Sequence, residues 1–132
     1  RMIVDPNESW TIDEVRDLQG LMTDLRVDLL EQPLPADADD DLIGFRSAIP
    51  IAADESVHVA ADLDALPDGY AVVNIKLDKA GGLTAALDLA AAARQRGLPA
   101  CALTFEPPPR DYFAGVARKP ELAPARIGTP RA

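Results

Sequence analysis

The chain has 132 residues, 48% of them hydrophobic, enough for one modest domain with a core. Its net charge of −9 argues against nucleic acid or an anionic membrane surface as partner, and no apolar run approaches membrane-spanning length. One cysteine, Cys101, excludes an internal disulfide and fits a reducing cytoplasm, where a small apolar residue on a strand is its ordinary role.

The chain starts at Arg1 and meets an apolar run at once, which gives the expectation of a piece of a longer protein. The first unit is a strand over 2–5, ending in Asp5, then Pro6-Asn7-Glu8-Ser9. A helix follows from about Thr11, with Thr11 and Glu14 at capping-box spacing. Trp10, Val15, Leu18, Leu21, Met22 and Leu25 form its apolar stripe, with Trp10 read as packing. The second unit is a strand over 27–31, ending in Glu31, then Gln32-Pro33-Leu34-Pro35. The acidic run from Asp37 to Asp41 is expected to cap and charge a helix over about 39–47, with Leu42, Ile43, Phe45 and Ala48 buried.

The third unit is a strand over 49–54, ending in Asp54, then Glu55-Ser56, a short helix over about 57–65 and the turn Leu66-Pro67-Asp68-Gly69. His58, the only histidine, is expected on that helix as a surface or packing residue. The fourth unit is a strand over 70–77 carrying Lys76, then Asp78-Lys79-Ala80-Gly81-Gly82. Gly81-Gly82 lacks the spacing of a dinucleotide or P-loop motif. An alanine-rich helix runs from Leu83 to Arg96, with Gly97 as its C′ residue, and a fifth strand is expected over about 100–105.

Asp5, Glu31, Asp54 and Lys76 therefore close successive apolar runs, 26, 23 and 22 residues apart. That is the length of one strand-helix unit in a parallel β/α protein. On neighbouring parallel strands the four would share one rim. Three carboxylates there repel one another unless a hard divalent cation such as Mg²⁺ lies between them, and a lysine beside it can serve as a base. Each carboxylate alone is ordinarily a turn former or a cap; the ordered series is what points to a site. Either a doubly wound sheet or a (β/α) barrel would accommodate these units. Catalytic groups at the C-terminal ends of successive strands favour the barrel, of which this chain could supply roughly half.

Four stretches carry a resemblance: Val4-Asp5-Pro6-Asn7, Leu30-Glu31-Gln32-Pro33-Leu34, Ala53-Asp54-Glu55-Ser56, and Asn74 to Thr84. In this order they resemble the enolase superfamily, and within it the dipeptide epimerases of the muconate-lactonising subgroup, over about residues 1–99. The resemblance implies an α/β fold, a fragment of a (β/α)₇β TIM-like barrel covering about strands 3 to 6, with a candidate strand 7 and the capping domain absent. It implies Asp5, Glu31 and Asp54 as Mg²⁺ ligands and Lys76 as one of two acid/base lysines. The implied reaction is epimerisation of an L-Ala-D/L-Glu type dipeptide, by α-proton abstraction through a metal-stabilised enolate, in murein peptide recycling in the cytoplasm. Asn7 and Glu55 are expected to orient the metal ligands, and Lys79 is read as a surface or helix-entry residue, not a second base.

Other superfamily enzymes would use the same groups: an N-succinyl amino acid racemase, o-succinylbenzoate synthase or muconate cycloisomerase. The family's Lys-x-Lys and Asp-x-Asp motifs are not found, so this chain alone is expected to turn over little, or to be a non-catalytic remnant that pairs with itself through open strand edges as a homo-oligomer. Residues 1–106 read as the partial barrel. Residues 107–132 hold five basic and two acidic residues and half of the twelve prolines. They read as a separate Pro/Arg-rich tail, either disordered or translated in a shifted frame.

Overall fold

The computed structural model describes residues 2–102; the expected end of the fifth strand and the tail over 107–132 lie outside the described residues. Five strands occur: β1 (Ile3–Val4), β2 (Leu29–Glu31), β3 (Ile51–Ala53), β4 (Val72–Ile75) and β5 (Ala100–Ala102). They form one sheet in the order β1-β2-β3-β4-β5, every neighbouring pair parallel. A doubly wound sheet needs a point where the strand order reverses. This one has none among the described strands, so each crossover continues the same way and the other face is left as an interior. The sheet is the arc of a β/α barrel.

The helices are α1 (Ile12–Asp17), α2 (Gln19–Asp24), α3 (Leu77–Ala80) and α4 (Leu83–Gln95), with 3₁₀ segments over Ala36–Leu42 and Ala60–Asp64. Thr11 caps α1 in the expected box, its backbone N–H donating to Glu14 Oε2 at 2.7 Å. The long helix expected after Thr11 breaks at Leu18, one residue before Gln19-Gly20, where glycine lowers helix stability. Its stripe is only partly inward: Val15 and Met22 are buried, whereas Leu21 and Leu25 are about half exposed.

The helix expected over 39–47 is instead the 3₁₀ segment ending at Leu42, with the acidic run inside it. Asp-rich sequence favours such tight local turns over α-helix. Leu42 is buried as expected, but Ile43 and Ala48 are exposed. The helix expected over 57–65 shortens in the same way to Ala60–Asp64. Helix α4 ends as read. Gly97 has φ +74, and the N–H groups of Gly97 and Leu98 donate to Arg94 O and Ala93 O at 2.9 Å, closing a Schellman motif.

The principal core lies between sheet and helices, around Leu30, Leu34, Leu42, Ile51, Val57, Leu63, Val73 and Leu89. Trp10 packs against it, as expected. A smaller cluster of Leu29, Ala52 and Val72 occupies the opposite face, with Cys101 against it. Alternation along each strand therefore sends Leu29 and Glu31, Ala52 and Asp54, and Val72 and Asn74 to the interior side.

Candidate metal and acid/base site

Each of the four residues singled out from sequence falls at the C-terminal end of its strand. Glu31 is the last residue of β2, while Asp5, Asp54 and Lys76 each stand one residue past β1, β3 and β4. Parallel pairing brings these ends to one rim. Asp54 is 2% exposed there. Lys76 Nζ pairs with Asp54 Oδ2 and lies 3.8 Å from Glu31 Oε1. Asn74 donates its amide to Glu31 Oε1 at 2.7 Å. That bond spans β3, on which Ala52 is the register partner of Glu31.

Asp5 stands apart. It is exposed, and its Oδ1 accepts the backbone N–H of Asn7 at 2.9 Å. Its link to Glu31 is like-charge repulsion across space. Among the described residues, no three Asp, Glu, His or Cys side chains close on a common point as metal ligands. The ammonium of Lys76 lies between Asp54 and Glu31 instead.

Lys79 corrects the sequence reading. It does sit at the start of a helix, on α3, but it belongs to the rim, not to the surface. Its Nζ reaches Asp54 Oδ1 at 2.7 Å and Glu55 Oε1 at 2.8 Å. Both oxygens of Asp54 thus face ammonium groups. Glu55, expected to orient a metal ligand, meets Asp54 only by way of Lys79, and its Oε2 is buried with no hydrogen-bond partner. Asn7 acts on Asp5 by its backbone.

Electrostatics follow the geometry. Burial raises the Glu31 carboxyl above its ordinary value, and the neighbouring carboxylates of Asp5 and Asp54 push the same way. Burial also acts to raise Asp54, but the hydrogen bonds and charges of Lys76 and Lys79 outweigh it and hold that carboxyl low. The Lys79 ammonium is held well above its usual range by Asp54 and Glu55, against the cost of burial. The carboxylates of Asp5, Glu31 and Asp54 are hard oxygen donors of the kind Mg²⁺ prefers, so the donor set fits such a cation.

Sequence reasoning passed over Gln32. It is fully buried, with φ +30, unusual for a residue with a side chain. Its Oε1 accepts from the backbone N–H groups of Asp54 at 2.9 Å and Ser56 at 3.3 Å. Its amide nitrogen meets Leu34 O, Ser56 Oγ and Tyr70 Oη at 2.8–2.9 Å. Tyr70 passes a hydrogen bond on to Asp39 Oδ1 at 2.6 Å. The residue after Glu31 therefore clamps the backbone of Asp54, tying two strand ends together. His58 is exposed and borders an adjoining cleft of about 440 Å³ lined by Asp37, Asp39, Asp40, Glu55 and Ser56.

A family profile, enolase C-terminal domain-like, matches residues 1–110, past the limit near residue 99 read from the motifs. The chain is 50% identical over 97 residues to an N-acetyl-D-glutamate racemase of a Pseudoalteromonas species, covering 74% of this chain and 31% of that protein. It is 52% identical over 96 residues to the L-Ala-D/L-Glu epimerase of Escherichia coli K12, covering 73% and 30%. Among solved structures, a dipeptide epimerase from Methylococcus capsulatus, complexed with Mg and the dipeptide L-Arg-D-Lys, superposes with a TM-score of 0.70 at 39% identity, covering 76% of this chain and 30% of that one. The chain spans about a third of the length of the curated relatives it matches.

Proposed function

The chain belongs to the enolase C-terminal domain-like family, and on that footing we propose that it is the metal-binding portion of a Mg²⁺-dependent epimerase acting on a dipeptide of the L-Ala-D/L-Glu type. The observation that carries the reading is the rim itself: Glu31, Asp54 and Lys76 in mutual reach at successive strand ends, with Asp5 on the strand beside Glu31. Asp5, Glu31 and Asp54 would hold the cation. When bound, Mg²⁺ supplies the positive charge that offsets negative charge developing on a substrate carboxylate as its α-proton leaves. Lys76 holds and moves that proton at Nζ, on a backbone fixed by β4 and by the first turn of α3. Gln32 keeps the ends of β2 and β3 in step. A place in murein peptide recycling in the cytoplasm is part of the same reading. So is little turnover from the 132-residue chain by itself.

A second reading has its own support, since the racemase relative acts on an N-acetylated amino acid and matches almost as well as the epimerase. Both names contain glutamate whose amine is acylated. The two readings therefore differ in the acyl group and share the carbon at which configuration changes.

The metal claim is tested by melting the chain with and without millimolar Mg²⁺. A cation at a hundred times its Kd adds about 2.7 kcal/mol to a folded state it binds selectively. The expected result is a rise in Tm that Asp54→Asn abolishes and Lys76→Ala retains. No rise, or an equal rise in Asp54→Asn, overturns it. The reaction is tested by solvent-deuterium exchange at the α-carbon, offering L-Ala-L-Glu and N-acetylglutamate to a full-length protein carrying this sequence. Exchange on neither overturns both readings.

A further inference from the structure

We propose that Lys79 and Asn74 are positioning residues that set which divalent cation the rim accepts, each by taking one oxygen of a ligand carboxylate. The proposal rests on the metal reading above. Lys79 Nζ occupies Asp54 Oδ1 at 2.7 Å and is anchored from behind by Glu55 Oε1 at 2.8 Å. Asn74 Nδ2 occupies Glu31 Oε1 at 2.7 Å. Neither contact is a loose surface pairing: Asp54 is 2% exposed and Asn74 5%.

The orientation of the Asn74 amide is dictated by chemistry. Turned over, it would set Oδ1 against the Glu31 carboxylate, acceptor against acceptor. The observed orientation leaves Oδ1 buried without a partner. That cost is borne where the alternative is worse, which marks the Asn74–Glu31 bond as the one the local fold is arranged to keep.

Both donors come from one short segment. Asn74 lies on β4, Lys76 caps α3, and Lys79 is in that helix's single turn. Six residues thus deliver two locks and the acid/base lysine. With Oδ1 of Asp54 and Oε1 of Glu31 engaged, Glu31 keeps Oε2 to give, and Asp54 keeps Oδ2, which a cation would take in place of the Lys76 ammonium. Mg²⁺ takes six ligands in a strict arrangement and suits carboxylates that offer single oxygens, whereas Ca²⁺ takes six to eight and readily uses both oxygens of one carboxylate. The locks therefore disfavour Ca²⁺ by withholding oxygens, without enlarging or shrinking the site.

The experiment is calorimetric titration of the full chain with MgCl₂ and, separately, CaCl₂, for the wild type, Lys79→Gln, Lys79→Arg and Asn74→Ala. The wild type should prefer Mg²⁺. Lys79→Gln frees Asp54 Oδ1, and Asn74→Ala frees Glu31 Oε1; in each the ratio of Mg²⁺ to Ca²⁺ affinity should fall about tenfold. Lys79→Arg keeps a cationic donor and should keep the ratio. The ratio is the informative quantity, because lost charge or a weakened fold moves both affinities together. A wild type that binds Mg²⁺ while Lys79→Gln and Asn74→Ala leave the ratio unchanged overturns this proposal alone. A wild type that binds neither cation overturns the metal reading and this proposal with it.

Discussion

Tyr70 donates a hydrogen bond to Asp39 across 2.6 Å in a place where burial disfavours charge. Burial lifts the Asp39 carboxyl above its ordinary value of 3.8 despite help from Ser56, Tyr70 and Gln32, and it lifts the Tyr70 hydroxyl far above its own, with Asp39 adding to the rise. Asp62 shows the opposite: the backbone N–H groups of Val59 and His58, each 2.8 Å from its Oδ2, hold its carboxyl low. The signs then separate. A raised carboxyl costs stability at neutral pH, and the cost lifts as pH falls through its folded value; Glu31 acts the same way. A lowered carboxyl stabilises above the ordinary value, and that contribution is lost as pH falls through its folded value. Stability followed by urea midpoint should therefore rise on mild acidification and fall away below about pH 4. Asp39→Asn should flatten the rise, and Asp62→Asn the fall. Tyr70→Phe leaves Asp39 and the Gln32 amide short of a partner and should cost about 1–3 kcal/mol in the same assay. The rim residues were legible from sequence because each ends an apolar run, which is a local property. Gln32 was not, because Ser56 and Tyr70 stand 24 and 38 positions away with no periodicity to announce them. Lys79 was missed because only the direction of a four-residue helix decides whether it turns back toward Asp54.

At the scale of elements, strands and their order were readable because parallel β/α units leave apolar runs at regular intervals. Connections were less so. The segments after β2 and β3 became 3₁₀ turns because short acidic sequence gains more from local side-chain bonds than from an α-helix. One such connection depends on a glycine. A Cβ at Gly69 would lie 2.4 Å from the Leu42 carbonyl oxygen and 2.8 Å from its Cβ. The turn before β4 and the 3₁₀ segment ending at Leu42 therefore press against each other backbone to backbone, and the contact holds Tyr70 at the mouth of the Gln32 network. Gly69→Ala should destabilise by about 1–3 kcal/mol, read from the urea midpoint. It should also loosen Tyr70, seen as faster hydrogen exchange at its amide, which donates to Pro67 O at 3.2 Å.

For the whole molecule, the sheet is an arc with one face toward helices and one face bearing the rim. Met2, just before the first strand, and Ile3 on it are 43% and 45% exposed, and β1 pairs only with β2 among the described strands. An apolar edge of that kind is a template for a further strand. The chain at tens of micromolar should therefore self-associate in sedimentation velocity, and Ile3→Lys should shift it toward monomer. Concentration-independent sedimentation of the wild type would remove this expectation. No helix among the described residues is long and apolar enough to cross a membrane.

Glu31 ends β2 and Gln32 follows it at φ +30, so the two side chains leave the strand end in different directions. One carries charge to the rim; the other holds the neighbouring strand end that bears Asp54. One residue inserted within β2 would move Glu31 into the buried place of Gln32, and one deleted there would bring Gln32 to the rim in place of the carboxylate. A change of length should therefore be borne more easily in the connections that follow the strands than within β2.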